Sequence, residues 1–243
     1  MSVDKNLLDI WVYLSAQPLL WLAVTLAAYL AGYRLFMASH QRAWLNPVAL
    51  AILLIAGLLA VTGTPYARYF EGAQFVHFLL GPATVALAVP LVRHWARIRR
   101  MWLPLAVGLV AGSLTAALSA MAIAWGLGAS LRTVLSMAPK SVTTPVAMGI
   151  AEKIGGLPSL TAVLVILTGI VGAVLGPGLL ARLGIREDEV RGYALGVAAH
   201  GIGTARAFQL GSLCGAFAGL AIGLNALLTA LLVPLLASML GLS

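Results

Sequence analysis

Charge is scarce in this sequence. Only 9% of its 243 residues are Asp, Glu, Lys or Arg, against about 25% in a soluble domain. So few charged side chains cannot cover a water-facing surface. That excludes a soluble enzyme, a nucleic-acid binder and a disordered chain. Acids are the rarer sign, 7 against 15 basic residues. The resulting net charge of +8 fits basic cytoplasmic loops of a membrane protein and not a nucleic-acid footprint. Cysteine is almost missing: Cys214 stands alone, which excludes a disulfide framework and a thiolate metal cluster. Four scattered histidines make no metal site, and no cofactor is expected. The sequence also lacks a Ser/His/Asp constellation, paired acids for hydrolysis, HExxH and a Walker-type phosphate loop. No enzyme is expected. The start, Met1-Ser-Val-Asp-Lys5, has neither a basic n-region nor a cleavage site, so no removable signal peptide is expected.

Apolar residues are what the chain has: 61% of the total, with mean hydropathy +1.01. A helix needs about 20 such residues to cross a bilayer core of about 30 Å. Cutting at Asp, Glu, Lys and Arg leaves six long runs: Ile10–Tyr33, Ala43–Ala67, Gly72–Val92, Met101–Leu131, Ile154–Ala181 and Ala207–Ser243. Two more, Ser141–Ala151 and Gly192–Ala205, reach only roughly 16 Å and 21 Å as helices. The expectation is an all-α, polytopic integral membrane protein with seven or eight transmembrane helices in a lipid bilayer. Lys and Arg in short loops set orientation. Arg93, Arg97, Arg99 and Arg100 form the densest cluster, and Arg34 and Arg42 a second; both loops are expected to be cytoplasmic, with Pro65–Val76 outside. The loop Arg182–Arg191 lies outside if Ser141–Ala151 crosses and inside if it re-enters.

Three apolar segments carry a helix-start signal in their middle: Gly81-Pro82-Ala-Thr84, Pro139-Lys140-Ser141-Val-Thr143-Thr144-Pro145, and His200-Gly201-Ile-Gly203-Thr204-Ala-Arg206. Proline suits a first turn and disrupts an interior. Thr144 is placed to cap a helix starting at Pro145, and Thr204 one following Gly203. Discontinuous helices are therefore expected near 139–145 and 200–206. A helix that starts at membrane depth leaves N–H groups and a dipole aimed into the protein, a ready anion site, and transporters build such sites at the midplane. Lys140 and Arg206 are cations within these breaks. Each lies either deep, where ionisable groups are functional, or snorkelled to the headgroups. His200 is a proton acceptor or a structural histidine. Glu152 and Lys153, before the turn Gly155-Gly156-Leu-Pro158, read as a solvated pair. Asn46 reads as the cap of a helix opening at Pro47, and Gly215–Gly219–Gly223 as a packing ridge. Shifting Pro82–Leu118 by 57 positions pairs Pro82 with Pro139, Leu103 with Leu160 and Gly112 with Gly169. This points to an internal repeat with units 77–126 and 134–183.

Met137-Ala-Pro-Lys-Ser-Val-Thr-Thr-Pro-Val-Ala-Met148, Glu152-Lys-Ile-Gly-Gly156 and His200-Gly-Ile-Gly-Thr-Ala-Arg-Ala207 resemble the LrgB/CidB family. So do Asn46-Pro47 and Leu80-Gly-Pro-Ala-Thr-Val85. The resemblance runs from about Pro18 to Leu240 and implies one LrgB-like transmembrane domain over residues 1–243. It places the chain in the plasma membrane of a bacterium, the inner membrane if Gram-negative. Two functions follow from it. One is passage of small monocarboxylates, of the pyruvate, glycolate and glycerate class. The other is antiholin-like control of murein hydrolases and autolysis beside an LrgA/CidA-type holin-like partner. A homo-oligomer is compatible with either. In the first, Lys140 and Arg206 supply charge-assisted bonds to a carboxylate. Ser141, Thr143, Thr144, Gly203 and Thr204 line the substrate, and His200 carries a proton. The family often has an acid shortly after its His–Gly–Thr motif, where this chain has Gln209-Leu-Gly-Ser212.

Overall fold

The computed structural model describes residues 17–242, with the side chains of Ala43, Leu80 and Thr84 left aside. The first seven residues of the first apolar run, the Met1–Lys5 segment and Ser243 lie outside the described residues. Helices account for most of the described residues, and no strand occurs among them. Five stretches are long and apolar enough to cross a membrane: Pro18–Ala38, Tyr66–Arg93, Trp102–Gly126, Pro158–Arg182 and Ser212–Met239. A sixth apolar helix, Pro47–Thr62, has 16 residues. The expectation of an all-α polytopic membrane protein therefore holds.

The chain forms two compact units, divided after Ala86. The first contains α1 (Pro18–Ala38), α2 (Pro47–Thr62), α3 (Tyr66–Phe78) and α4 (Leu80–Ala86). Pro47 begins α2, and the Asn46 side-chain oxygen accepts from the backbone N–H groups of Val48 and Ala49 at 2.9 and 3.2 Å, the expected cap. Pro82 sits in the first turn of α4, where its missing N–H costs nothing. Trp21 of α1 is fully buried and meets Tyr69 of α3 edge-on, ring centroids 5.9 Å apart.

The second unit contains α5 (Ala88–Arg93), α6 (Trp95–Arg100), α7 (Trp102–Gly126), α8 (Leu131–Met137), α9 (Thr144–Lys153), α10 (Pro158–Arg182), α11 (Asp188–Leu210) and α12 (Ser212–Met239). Its organising feature is that the chain doubles back twice. α11 has non-helical backbone at Ala199 (φ −128°, ψ 16°) and His200 (φ 41°, ψ −133°). A straight helix of this length would separate its ends by about 34 Å. Instead Gly211 lies within reach of the Asp188 carboxylate, and Gly203 packs on the Leu195 carbonyl. Residues 188–210 thus form a helical hairpin with its tip at 199–200. The second hairpin is α8 and α9, joined through Ala138–Thr143. Its base is closed where the Leu157 N–H donates to Ser136 Oγ at 2.7 Å and Thr161 Oγ1 donates to the Ser136 carbonyl at 3.0 Å.

The hairpins enter from opposite ends. An ion pair joins Arg97 of α6 to Glu189 of α11, and the Tyr193 hydroxyl donates to the Leu105 carbonyl at 2.9 Å. The base of α11 therefore shares one end with the start of α7, and the Arg93–Arg100 cluster lies at the same end as the 182–191 loop. α10 finishes at that end, so its start, beside the α8–α9 base, is at the other. A core of Ala124, Val134, Ile154, Val233 and Ala237 closes that far end. Residues 131–153 thus enter and leave from one end, the geometry of the re-entrant alternative.

Small residues permit the packing. A Cβ on Gly192 would lie 2.0 Å from the Cys214 carbonyl oxygen, and one on Gly196 2.4 Å from that of Ala218. On the opposite flank, Gly169, Gly172 and Gly176 of α10 receive His200, Ala199 and Leu195. The ridge expected on α12 is only partly used for packing: Gly215 faces Phe208, while a Cβ on Gly223 would meet nothing within 4 Å. Gly192→Ala should destabilise the protein by about 2 kcal/mol through overpacking against backbone. Gly178→Ala, where a Cβ meets nothing within 4 Å, should be neutral or slightly stabilising, by up to about 1 kcal/mol. Thermal melts of the two variants in detergent check the contrast.

Candidate anion site between two hairpin tips

Asn225 stands near the middle of α12 and is 1% exposed. Its amide nitrogen donates to the Ser141 carbonyl at 3.1 Å and to the Val197 carbonyl at 3.0 Å. Its oxygen accepts from Ser113 of α7, and from Thr229 at 3.3 Å. One side chain therefore ties both hairpin tips to two long helices. The carbonyls are available because the backbone has left the helix nearby. In an unbroken α11, the Val197 carbonyl would accept from Gly201; the bend at 199–200 removes that partner.

Beside this junction lies a cavity of about 820 Å³ in the second unit. α7 contributes a wall of small residues, Gly108, Gly112 and Ala116, which leave the space unfilled. Leu164, Leu167, Thr168 and Val171 of α10 form a second wall, and Tyr193, Ala194, Val197 and Ala198 of α11 a third. Met137, Lys140 and Ser141 close it at the tip of the α8–α9 hairpin. Met101, Glu189 and Val190 line the other end. Along α11, Glu189 and Val197 are eight residues apart, about 12 Å. The cavity is thus elongated and apolar, with a cation at one end and an anion at the other.

Lys140 is half-buried, and its ammonium is 3.3 Å from Ser141 Oγ. No carboxylate pairs with it among the described residues. An ammonium in an apolar wall loses hydration that one hydroxyl does not replace. A bound carboxylate would supply the missing charge and hydrogen bonds. Glu189, by contrast, is already paired with Arg97.

The remaining sequence-derived site residues lie elsewhere. Thr143 is the residue before α9, and Thr144 and Pro145 form its first turn, so the cap sits one position earlier than expected. Thr204 is not a cap. The break falls at 199–200, and the Thr204 hydroxyl donates back to the His200 carbonyl at 2.8 Å, inside the returning arm. Gly203 packs between the arms. His200 is buried, a ring nitrogen 2.9 Å from the Val165 carbonyl, and is not among the cavity-lining residues. Arg206 bonds Gln209 at 2.8 Å and also stays off the lining. Glu152 and Lys153 are exposed. Sequence reasoning missed Glu189, Tyr193 and the role of Asn225. The one available signal was a lone amide in the middle of a span.

Two helical hairpins packed among long apolar helices define a polytopic α-helical membrane protein. Residues 25–239 match the model of the LrgB-like family, and the chain belongs to that family. It is 30% identical over 203 residues to "Antiholin-like protein LrgB" of Bacillus cereus (strain B4264), covering 84% of this chain and 88% of that protein. It is 39% identical over 190 residues to the uncharacterized protein YxaC of Bacillus subtilis (strain 168), covering 78% and 82%. With YwbG of the same organism it shares 35% over 197 residues, covering 81% and 87%. No solved structure matches the chain.

Proposed function

We propose that this protein carries small organic monocarboxylates, of the pyruvate, glycolate and glycerate class, across the plasma membrane of a bacterium. It acts as a carrier and not as a catalyst. The observation that carries the reading is Lys140, a cation without a carboxylate partner among the described residues, lining an apolar cavity where two hairpins meet. The ammonium binds the carboxylate, and Ser141 is placed to bond a neighbouring hydroxyl or keto oxygen. The tip at 139–143 and the bend at 199–200 give the site two movable walls, the usual arrangement for alternating access. The Arg-rich end faces the cytoplasm by the positive-inside rule. Two hairpins, each following a long helix, are what supports reading the chain as an internal repeat. The test is uptake of radiolabelled pyruvate and glycolate into proteoliposomes, with and without a pH gradient to read proton coupling. Protein-dependent, saturable uptake supports the reading; uptake equal to that of empty liposomes refutes it.

The names of the Bacillus cereus relatives favour a second reading. In it the protein is an antiholin-like regulator of murein hydrolases, acting with an LrgA/CidA-type membrane partner. A regulator needs a docking surface and has no use for a charged cavity. A lysis phenotype that survives Lys140→Met would favour it.

A further inference from the structure

Glu189 has no role in holding the anion, yet it lines the cavity and is 6% exposed. The only cation the described structure offers it is Arg97, whose side chain is 59% exposed against 7% for the glutamate. The arginine reaches from the outer face of the Arg-rich end over a buried carboxylate. Its neighbour Asp188 is already engaged with Arg191, 3.5 Å away. Arg97 sits on α6, a six-residue helix bounded by the turns at His94 and Met101. That helix is short enough to move without unwinding α7. The exposed guanidinium can be reached by a carboxylate arriving from solution. Paired with Arg97, the Glu189 carboxylate ties the first turn of α11 to α6 across this mouth.

We infer that Arg97 and Glu189 form an ion-pair gate at the Arg-rich mouth of the cavity, opened when a substrate carboxylate takes the place of Glu189 on the guanidinium. The identity of that substrate rests on the carrier reading above; the gate itself does not. In the closed state the pair bridges α6 to the first turn of α11. An incoming monocarboxylate binds Arg97, the bridge is lost, and the anion passes along the apolar wall toward Lys140.

The test uses a reporter thiol inside the cavity, Thr168→Cys, in a Cys214→Ala background. A membrane-impermeant maleimide is applied to sided vesicles. From the Arg-rich face, Glu189→Gln and Arg97→Gln should each speed labelling at least fivefold, and the charge-exchanged pair Arg97→Glu/Glu189→Arg should return it close to the parent rate. Saturating pyruvate should speed labelling of the parent from that face. Labelling rates of both single variants within twofold of the parent overturn the gate. So does a charge-exchanged pair that stays fast, which would show loosening of the fold in place of a lost bridge. Absence of acceleration by pyruvate overturns displacement by substrate. Failure of the carrier reading looks different: no proteoliposome uptake, with labelling still governed by the pair.

Discussion

Lys140→Met should lower pyruvate and glycolate uptake by about 10- to 100-fold. Methionine keeps the length and apolar stem of the side chain, so the α8–α9 tip retains its packing. It removes the one ammonium that lines the cavity among the described residues. A hydrogen bond to a charged group is worth about 1.5–3 kcal/mol, and each 1.4 kcal/mol is a factor of ten. Nothing nearby compensates: the other ionisable lining groups are Glu189, at the opposite end of the cavity, and the Tyr193 phenol, which is bonded to Leu105. Lys140→Arg keeps the charge with a bulkier head, and should retain more uptake than methionine while raising KM. The measurement is initial-rate uptake into proteoliposomes, normalised to monodisperse protein. Equal rates for the parent and Lys140→Met would remove the anion site. Arg206→Ala provides a contrast, because Arg206 bonds Gln209 and does not line the cavity; its uptake should change far less.

That contrast marks where sequence reading stops. The two cations look alike on paper, each inside an apolar run beside a helix break. They separate only once the chain's direction after each break is known. At Pro139–Pro145 the imino acids localise the interruption, and Lys140 falls on the turn itself. At His200–Arg206 the glycine-rich signal marks the break at its first residue but misplaces the cap at Thr204. The bend falls at Ala199 and His200, and Thr204 lies a full turn into the returning arm. The cause is tertiary. Gly203 must pass against the Leu195 carbonyl, and Gly192 and Gly196 against α12, so the tip is placed by what packs on it and not by its own residues. Local features were legible for the same reason: the Asn46 cap, the exposed Glu152 and Lys153 and the long apolar helices depend on neighbours a few positions away. The Arg97–Glu189 pair and the Ser113–Asn225 bond link positions 92 and 112 residues apart. No spacing rule within one helix reaches that far.

Asn225→Leu should be the most damaging single change outside the cavity. Leucine keeps the branched skeleton with two methyls in place of the amide oxygen and nitrogen, so the change removes the polar partners and adds bulk at a buried site. The Ser141 and Val197 carbonyls would stay buried without their donor, and the Ser113 hydroxyl would lose its acceptor. A buried polar group left unsatisfied costs about 1–3 kcal/mol, so the two carbonyls together represent about 2–6 kcal/mol, a large part of a typical protein's stability. Asn225→Asp sharpens the argument. It preserves shape and the acceptor for Ser113, but turns toward both carbonyls an oxygen in place of the N–H₂ group. If tip tethering matters, the aspartate variant should melt well below the parent despite being nearly isosteric. Asn225→Ala, which leaves room for water to reach the carbonyls, should be milder than leucine. Melting in detergent gives the order; uptake by whatever fraction stays folded tells whether the tips must be held together for the cavity to work. An Asn225→Leu protein melting within about 2 °C of the parent would mean that the two hairpin tips are held by their glycine-lined flanks alone.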